Sequence, residues 1–263
     1  MDLGIKGKRA LVMGSSYGMG NGVARGLAAE GVDLIITARH QDTLNHEAAD
    51  IAKKFGVRVE AKACDLSKDG DLDTLLDFAM DKFGGIDIQF NNCGGPPRLL
   101  PGEADLDLWR QWFEIIVIAS VKATGFALDG MKERGWGRIL SMTSSNIYDA
   151  AITNVLSSAL RPALVGWSKA LCKEVSKHGI TVNCLVPGRI YTDRVRLGDE
   201  VKAKHLGITP EEVRERMIKE SPMGRDGTVE DMANLAVWLC SEQAGYVNGS
   251  VLRADGGRVG TNF

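Results

Sequence analysis

The sequence of 263 residues lacks the cysteine and histidine patterns of disulfide-rich and metal-binding proteins. Its five cysteines are odd in number and include no C-x-x-C pair, which argues against a disulfide framework. The four histidines show no metal-ligand spacing, so no metal is expected. We therefore predict reduced, mostly buried thiols at Cys64, Cys93, Cys172, Cys184 and Cys240.

An excess of charge of one sign and long apolar runs are missing too. Lysine and arginine total 32 against 34 aspartates and glutamates, and no basic cluster interleaves with aromatics, so a nucleic-acid surface is not indicated. No apolar run approaches the roughly 18 residues that would span a bilayer. The N-terminal residues also lack the apolar core and cleavage site of a signal peptide. We expect a cytoplasmic protein with no membrane contact, whose partner is a small molecule.

What the sequence does contain, at residues 8–31, is the pattern of a buried strand, a glycine-rich turn and a helix. Gly14, Gly18 and Gly20 follow the apolar run 9–13. Glycines let backbone N–H groups approach an anion closely, and the helix dipole favours negative charge there, so a phosphate is the expected ligand. The spacing G-x-x-x-G-x-G differs from the dinucleotide fingerprint G-x-G-x-x-G. A turn that serves only the close packing of helix on sheet is the alternative.

Strand and helix patterns then alternate along the chain. Strands are predicted at 9–13, 32–37, 57–63, 86–90, 138–142, 180–186 and 250–253, and helices at 41–55, 69–83, 105–134, 157–177 and 228–240. This alternation predicts an α/β fold, a Rossmann-like doubly wound parallel sheet with helices on both faces. A single domain over residues 1–263 is expected, with the charged segment 193–222 as a mobile flap over the ligand.

Ligands in such a sheet bind at the carboxyl ends of the strands. The segments that follow the predicted strands should therefore converge. They are 14–20, 38–39, 64–65, 91–94, 143–146 and 187–192.

These segments resemble those of the short-chain dehydrogenases/reductases over essentially the whole chain. The glycine turn matches T-G-x-x-x-G-x-G with Met13 in place of threonine, 91–94 matches N-N-A-G, 187–192 matches P-G-x-[IV]-x-T, and 255–257 matches a C-terminal D-G-G. The resemblance implies a dinucleotide cofactor held by Gly14, Ser15, Ser16, Tyr17, Gly18, Met19, Gly20, Arg39, Asp65, Leu66, Asn92, Cys93, Gly94, Arg161, Pro187, Gly188, Ile190 and Thr192.

The end of the second strand bears on which cofactor is used. It reads Thr37, Ala38, Arg39, without the acidic residue that binds an unphosphorylated ribose 2′-hydroxyl. Arginine offers a planar fork for a 2′-phosphate, which favours NADP(H) over NAD(H). A solvated arginine at the start of a helix is the alternative.

The catalytic positions that the resemblance implies are mostly changed. The family uses Asn, Ser, Tyr and Lys, and here these positions fall on Ile116, Ser144, Ser157 and Arg161. A serine hydroxyl is a far weaker acid than a phenol, and isoleucine cannot hold a proton-relay water. Tyr148 is a candidate replacement acid, and so is Tyr191, although a packed loop aromatic is the simpler interpretation of each. Asp193 and Arg194 are substrate-side candidates.

Two functions remain open at this stage. One is an NADP(H)-dependent oxidoreductase that acts on a carbonyl or secondary alcohol and resembles the 3-oxoacyl-acyl-carrier-protein reductase group. The other is a dinucleotide-binding sensor or assembly protein with weak or no catalysis. The family commonly forms tetramers, so a homotetramer or a dimer is expected, with an interface that includes Phe113, Ile115, Ile118, Phe126, Leu164, Val165 and Leu171.

Overall fold

A computed structural model describes residues 1–261, and it contains one parallel sheet with helices on both faces. The strands are β1 (Arg9–Met13), β2 (Asp33–Ala38), β3 (Val59–Ala63), β4 (Ile88–Asn91), β5 (Gly137–Met142), β6 (Ile180–Pro187) and β7 (Val251–Ala254). The helices are α1 (Gly18–Ala29), α2 (Gln41–Phe55), α3 (Asp71–Phe83), α4 (Leu106–Phe113), α5 (Ala119–Arg134), α6 (Val155–Val175), α7 (Asp193–Leu206), α8 (Pro210–Lys219) and α9 (Val229–Leu239).

The strand order is β3-β2-β1-β4-β5-β6-β7, which confirms the predicted doubly wound sheet. β1 pairs with β2 on one side and with β4 on the other, so the chain reverses its winding direction at β1. The central strands are almost entirely buried because helices cover both faces, as their continuous apolar runs require. A ligand crevice is therefore expected outside the carboxyl ends of β1 and β4.

Helix α1 packs tightly against α9 through glycines. A Cβ on Gly22 would overlap the side chain of Val229, and a Cβ on Gly26 would lie 2.8 Å from Cγ2 of Val237. The backbone N–H of Glu242, just after α9, donates to the carbonyl oxygen of Leu3. Residues from the beginning and from the end of the chain thus complete one face of the core together.

The predicted elements are confirmed, with ends that differ by one or two residues in most cases. The helical stretch predicted at 105–134 is interrupted by a π-helical turn, Glu114–Ile118, between α4 and α5. The segment 193–222, predicted as a flap, folds largely into α7 and α8. Arg189 pairs with Asp199 on α7 and with Asp226, and Asp226 also pairs with Arg214 on α8, so ion pairs tie both helices to the body of the fold.

Candidate active site at the strand ends

The backbone atoms of the glycine turn after β1 are packed closely against one another. Gly14 and Gly18 have φ values of +60° and +63°, in the left-handed region that favours glycine. A Cβ on Gly20 would overlap the carbonyl oxygen of Gly14. The side-chain amide of Asn92 donates to the carbonyl oxygens of Met13 (3.3 Å) and Gly14 (3.1 Å), which joins this turn to the one after β4. The first turn of α1 carries no acidic residue, so its N–H groups suit an anion.

Within that turn the side chains differ in what they can contact. Ser15 is fully buried, and its hydroxyl donates to the carbonyl oxygen of Val12 and accepts from the N–H of Thr37. This side chain therefore links β1 to β2 and cannot bind a cofactor. The backbone N–H of Ser15 is used as well, because it donates to the carbonyl oxygen of Thr37 (3.0 Å), so the structure does not support the prediction of Ser15 as a cofactor residue. Ser16 and Met19 are half-buried, and Tyr17 is exposed.

The ends of β2 and β3 bring an arginine and a carboxylate near each other. Arg39 is exposed and has no hydrogen bond or ion pair within residues 1–261. The Asp65 carboxylate accepts from the hydroxyl (2.7 Å) and N–H (3.1 Å) of Ser67. The bond from the Ser67 hydroxyl is the main cause that lowers the pKa of Asp65, and the charge of Arg39 lowers it further. Leu66 packs against the core. The fork of Arg39 is thus free for a ligand at the edge expected to hold a ribose.

The turn after β4 rests on a buried polar network. The side-chain amide of Asn91 donates to the hydroxyls of Thr124 (2.9 Å) and Ser141 (3.3 Å). Cys93 packs against an apolar cluster, and burial raises the pKa of its thiol, although the charge of Arg161 opposes the shift. Cys93 is therefore a protonated thiol and not a nucleophile. Beyond it Gly94 is exposed, and a Cβ there would meet open space.

Ser144 and Arg161, both predicted as catalytic residues, lie close to the end of β5, and Ser157 lies one turn before Arg161 on α6. Ser144 is partly buried, and its hydroxyl accepts from the N–H of Asn146 (3.2 Å). Ser157, near the start of α6, is 3% exposed and its hydroxyl has no hydrogen-bond partner in the described chain. Arg161, one turn further along α6, is 6% exposed and donates from Nη1 to the carbonyl oxygen of Met142. Its other nitrogens find no oxygen acceptor in the part of the chain that the structure describes.

Ile116 provides no polar group to the site. Its side chain is buried with Val117, Leu156 and Leu160, in the apolar cluster that also contacts Cys93. It lies in the π-helical turn, a feature that often marks functional sites. The hydroxyl of Ser120 donates to the Ile116 carbonyl oxygen (2.8 Å) and so satisfies that backbone group.

Both candidate tyrosines contact arginine side chains. The Arg253 guanidinium lies 5.2 Å from the ring centre of Tyr148, and that of Arg214 lies 3.9 Å from the ring centre of Tyr191. Neither phenol has a hydrogen-bond partner within residues 1–261. Tyr191 belongs to the group that anchors α8, whereas Tyr148 follows Ser144 by one turn. Tyr148 is therefore the nearer of the two to Ser144 along the chain.

The segment after β6 closes the cleft on the side opposite β2. The N–H of Gly188 donates to the carbonyl oxygen of Ala254, and a Cβ on Gly188 would overlap Asp255, so Pro187 and Gly188 are fixed against the end of β7. Ile190 is buried, and Thr192 begins α7. A Cβ on Gly18 would lie 3.8 Å from Cγ2 of Thr192, so the turns after β1 and β6 face each other.

Two arginines lie at this cleft. The sequence did not predict Arg98 there, and it indicated Arg194 only as a substrate-side candidate. Arg194, in the first turn of α7, donates from Nη1 and Nη2 to the carbonyl oxygens of Gly95 and Pro96, each at 3.0 Å. Arg98 lies on the other side of this contact, near Gly198 of α7. The glycines and prolines of residues 94–97 predict a loop, but they do not indicate that the loop lies beside two arginines.

A cavity of about 590 Å³ lies apart from this cleft, at the end of β7, and only Ile190 of the expected cofactor residues lines it. The described residues contain no group of three or more His, Cys, Asp or Glu side chains that could hold a metal ion. No helix within residues 1–261 is both long and apolar enough to cross a membrane.

Comparison with known proteins decides the family. Residues 14–258 match the family described as enoyl-(acyl carrier protein) reductase. The chain belongs to the short-chain dehydrogenases/reductases. Among its relatives in this family, D-beta-hydroxybutyrate dehydrogenase of Cupriavidus necator is 32% identical over 257 residues, which cover 97% of this chain and 99% of that protein. The 3-oxoacyl-[acyl-carrier-protein] reductase FabG of Aquifex aeolicus is 29% identical over 98% of this chain and 99% of that protein.

A solved structure of a short-chain dehydrogenase/reductase has nearly the same fold. L-sorbose reductase from Gluconobacter frateurii, complexed with NADPH and L-sorbose, has a TM-score of 0.95 and 34% identity, and the match covers 99% of this chain and 100% of that one. These relationships confirm the predicted resemblance and the expected class, an NAD(P)(H)-dependent oxidoreductase that acts on a carbonyl or secondary alcohol.

Proposed function

We propose that this short-chain dehydrogenase/reductase uses NADP(H) and carries out its chemistry with Ser144, Ser157, Arg161 and Tyr148. The observation that carries the proposal is Arg161, a buried cation held against the end of β5 whose remaining N–H groups have no oxygen acceptor within residues 1–261. Arginine carries five N–H donors, so those not used at Met142 remain available to a ligand with hydroxyl groups. The bare glycine turn and the free N-terminus of α1 fit the phosphates of the same cofactor.

Different residues of the chain orient the substrate and supply a proton. The bound cofactor supplies the hydride, and Arg161 holds its ribose. Ser144 and Ser157 donate hydrogen bonds to the substrate oxygen. Neither serine is acidic enough to replace a phenol with a pKa near 10, so Tyr148 delivers the proton directly or through water. Loss of a well-placed acid costs about 10²- to 10⁴-fold in rate, whereas orienting the reactants contributes more, so a slow reaction survives.

A specific observation favours a second candidate, cofactor binding with little or no catalysis. Ile116 is packed into an apolar cluster and excludes a relay water, and Ser157 offers no acid. Substitution of Ser144 separates the two candidates: Ser144→Ala lowers turnover of a verified substrate at least tenfold if the site is catalytic, with Ser145→Ala as the matched control. Unchanged turnover in Ser144→Ala would remove Ser144 from the mechanism.

The preference for NADP(H) is carried by Arg39, and NADPH-bound neighbours in the family support it. A titration of the purified protein with NADPH and then NADH, followed by tryptophan fluorescence, tests it. We expect Arg39→Ala to weaken NADPH binding about 10- to 100-fold, the size of a lost charge-assisted hydrogen bond, and to leave NADH binding unchanged. Arg216→Ala is the control, because Arg216 is also exposed and has no ion pair in the described residues. Equal loss for both cofactors would contradict the role of Arg39.

We also propose a cytoplasmic homotetramer assembled through α4, α5 and α6. Phe113 and Ile118 are 39% and 36% exposed, which supports an apolar interface on this face. Leu164 and Leu171, predicted for the same interface, are buried in the chain's own core and are not available. All five cysteines are free thiols, in keeping with a reducing compartment. Light scattering of the wild type and of Phe113→Ser tests the assembly, and a monomeric wild type would refute it.

A further inference from the structure

Most arginines of this protein pair with a carboxylate. The arginines that form no ion pair within residues 1–261 are Arg39, Arg98, Arg161, Arg194, Arg216 and Arg253. One of them, Arg194, feels the positive charges of two others, Arg98 and Arg161. Arg194 therefore lies near both of these cations.

Arg194 and Arg98 are held between the loop after β4 and helix α7. The bonds from Arg194 to the carbonyl oxygens of Gly95 and Pro96 fix its guanidinium across the loop, and a Cβ on Gly95 would overlap it. A Cβ on Gly198 would lie 3.5 Å from Nη2 of Arg98. Arg98 makes no hydrogen bond to the rest of the described chain, so its donors are free.

Arg161 stands behind this pair, on the inner side of the site. It is buried, and its bond to the Met142 carbonyl oxygen places it at the end of β5, two residues before Ser144. Cys93 contacts Arg161 and also feels the charge of Arg194, so it lies near both arginines.

Carboxylates near these arginines in the chain are bound elsewhere. Asp193 pairs with Arg196, Asp199 pairs with Arg189, and Glu103 accepts a hydrogen bond from the N–H of Leu100. Burial is the main cause that lowers the pKa of Arg194, followed by the like charges of Arg98 and Arg161. An oxyanion bound near Arg194 would offset the repulsion that its guanidinium feels from these like charges.

We propose, as a deepening of the proposed function, that Arg98 and Arg194, with Arg161 behind them, bind a carboxylate of the substrate. The protein then acts on an oxo acid or a hydroxy acid and discriminates against neutral carbonyl compounds. The oxyanion could also come from the cofactor, whose phosphates carry the same chemistry. Arg98 meets α7 at Gly198, six residues beyond Thr192, which is the residue that faces the glycine turn, and this favours the substrate.

Calorimetry with an unreactive probe separates these sources. Malonate is titrated into the NADPH-saturated protein, and malonamide, its uncharged analogue, is titrated in parallel. We expect malonate to bind at least tenfold more tightly than malonamide. Arg98→Gln and Arg194→Gln should each weaken malonate binding about 10- to 100-fold. Arg196→Gln, on the same helix but paired with Glu200, should leave it unchanged.

NADPH affinity is measured for the same variants, and it should change less than threefold in Arg98→Gln and Arg194→Gln. If NADPH binding weakens as much as malonate binding, the arginines bind the cofactor and the proposal is wrong. Equal binding of malonate and malonamide by the wild type also overturns it. Failure of the wild type to bind NADPH at all would instead sink the proposed function. Arg98→Gln guards against misfolding, because that side chain makes no hydrogen bond within the described chain.

Discussion

Nη1 of Arg161 donates a hydrogen bond of 2.6 Å to the carbonyl oxygen of Met142. The bond joins α6 to the last residue of β5, so the cation is fixed relative to the strand end that carries Ser144. Lysine at this position would present a single ammonium on a differently shaped stem, without the planar fork. The arginine is therefore a structural part of the strand end as well as a candidate ligand-binding group.

This geometry predicts the outcome of restoring the family's usual pair. We expect Ser157→Tyr combined with Arg161→Lys to lower turnover at least tenfold, because Ser157 is 3% exposed and replacing a buried serine by a tyrosine overpacks its surroundings. Steady-state kinetics on a verified substrate measure it, with circular dichroism as the folding control. A large gain in activity would instead mean that the wild-type site has decayed and that the ancestral chemistry still fits.

Gly20 should tolerate no side chain. Its Cβ would overlap the carbonyl oxygen of Gly14, a backbone atom that cannot swing away. We expect Gly20→Ala to lower the free energy of unfolding by about 1–3 kcal/mol through overpacking and to weaken NADPH binding. Urea denaturation and the fluorescence titration measure the two effects. Gly102→Ala is the control, since a Cβ there meets open space, and a wild-type result for Gly20→Ala would contradict the description of this turn.

Asp226 should hold α7 and α8 in place. It accepts from Nε of Arg189 and from Nε of Arg214, each at 2.8 Å, and it is 8% exposed. We expect Asp226→Asn to cost about 2–4 kcal/mol, because Arg214 loses its anion and Arg189 keeps only Asp199, and to speed proteolysis between α7 and α8. Asp193→Asn, at an exposed ion pair on α7, should change stability by less than about 0.5 kcal/mol. Equal changes in the free energy of unfolding for the two variants would show that Asp226 stabilises the protein no more than Asp193 does.

Asp87 should make stability depend on pH in the acid range. Burial alone raises the pKa of this carboxyl, but the hydrogen bonds from Arg9 and the charges of Arg9 and Arg134 outweigh it, so the pKa lies below the ordinary 3.8. A lowered pKa means that the contribution is present above pH 4 and is lost as pH falls through the folded-state value.

Urea denaturation at pH 7 and at pH 3 tests this dependence. We expect Asp87→Asn to lose about 2–4 kcal/mol at pH 7 and less at pH 3, because at pH 3 the Asp87 carboxyl of the unfolded wild-type chain is mostly protonated. Asp69→Asn, with an exposed carboxylate that makes no ion pair within residues 1–261, is the control. A difference between Asp87→Asn and wild type that does not shrink at pH 3 would refute the assignment.

The sheet could be predicted because each of its strands is marked by a short stretch of consecutive residues. Continuous apolar runs mark β1, β2 and β6, and turns separate them from helices with a clear apolar face, so the strand and helix positions follow from short windows. The site depends on what distant segments bring together. Nothing in the sequence near Ser15 shows that its hydroxyl links two strands, and nothing near Arg98 shows that Arg194 and Gly198 face it. The helices of segment 193–222 could not be predicted either. They are held by ion pairs with Arg189 and Asp226, and they present only a narrow apolar face.

The packing of Gly22 and Gly26 against Val229 and Val237 also sets an order in time. The ribosome synthesises the glycine turn and α1 early. Helix α9, which packs against one face of α1, is translated much later. In a nascent chain, that face of α1 therefore stays without its partner until α9 has been translated. A chain that ends before α9 leaves the same face of α1 uncovered.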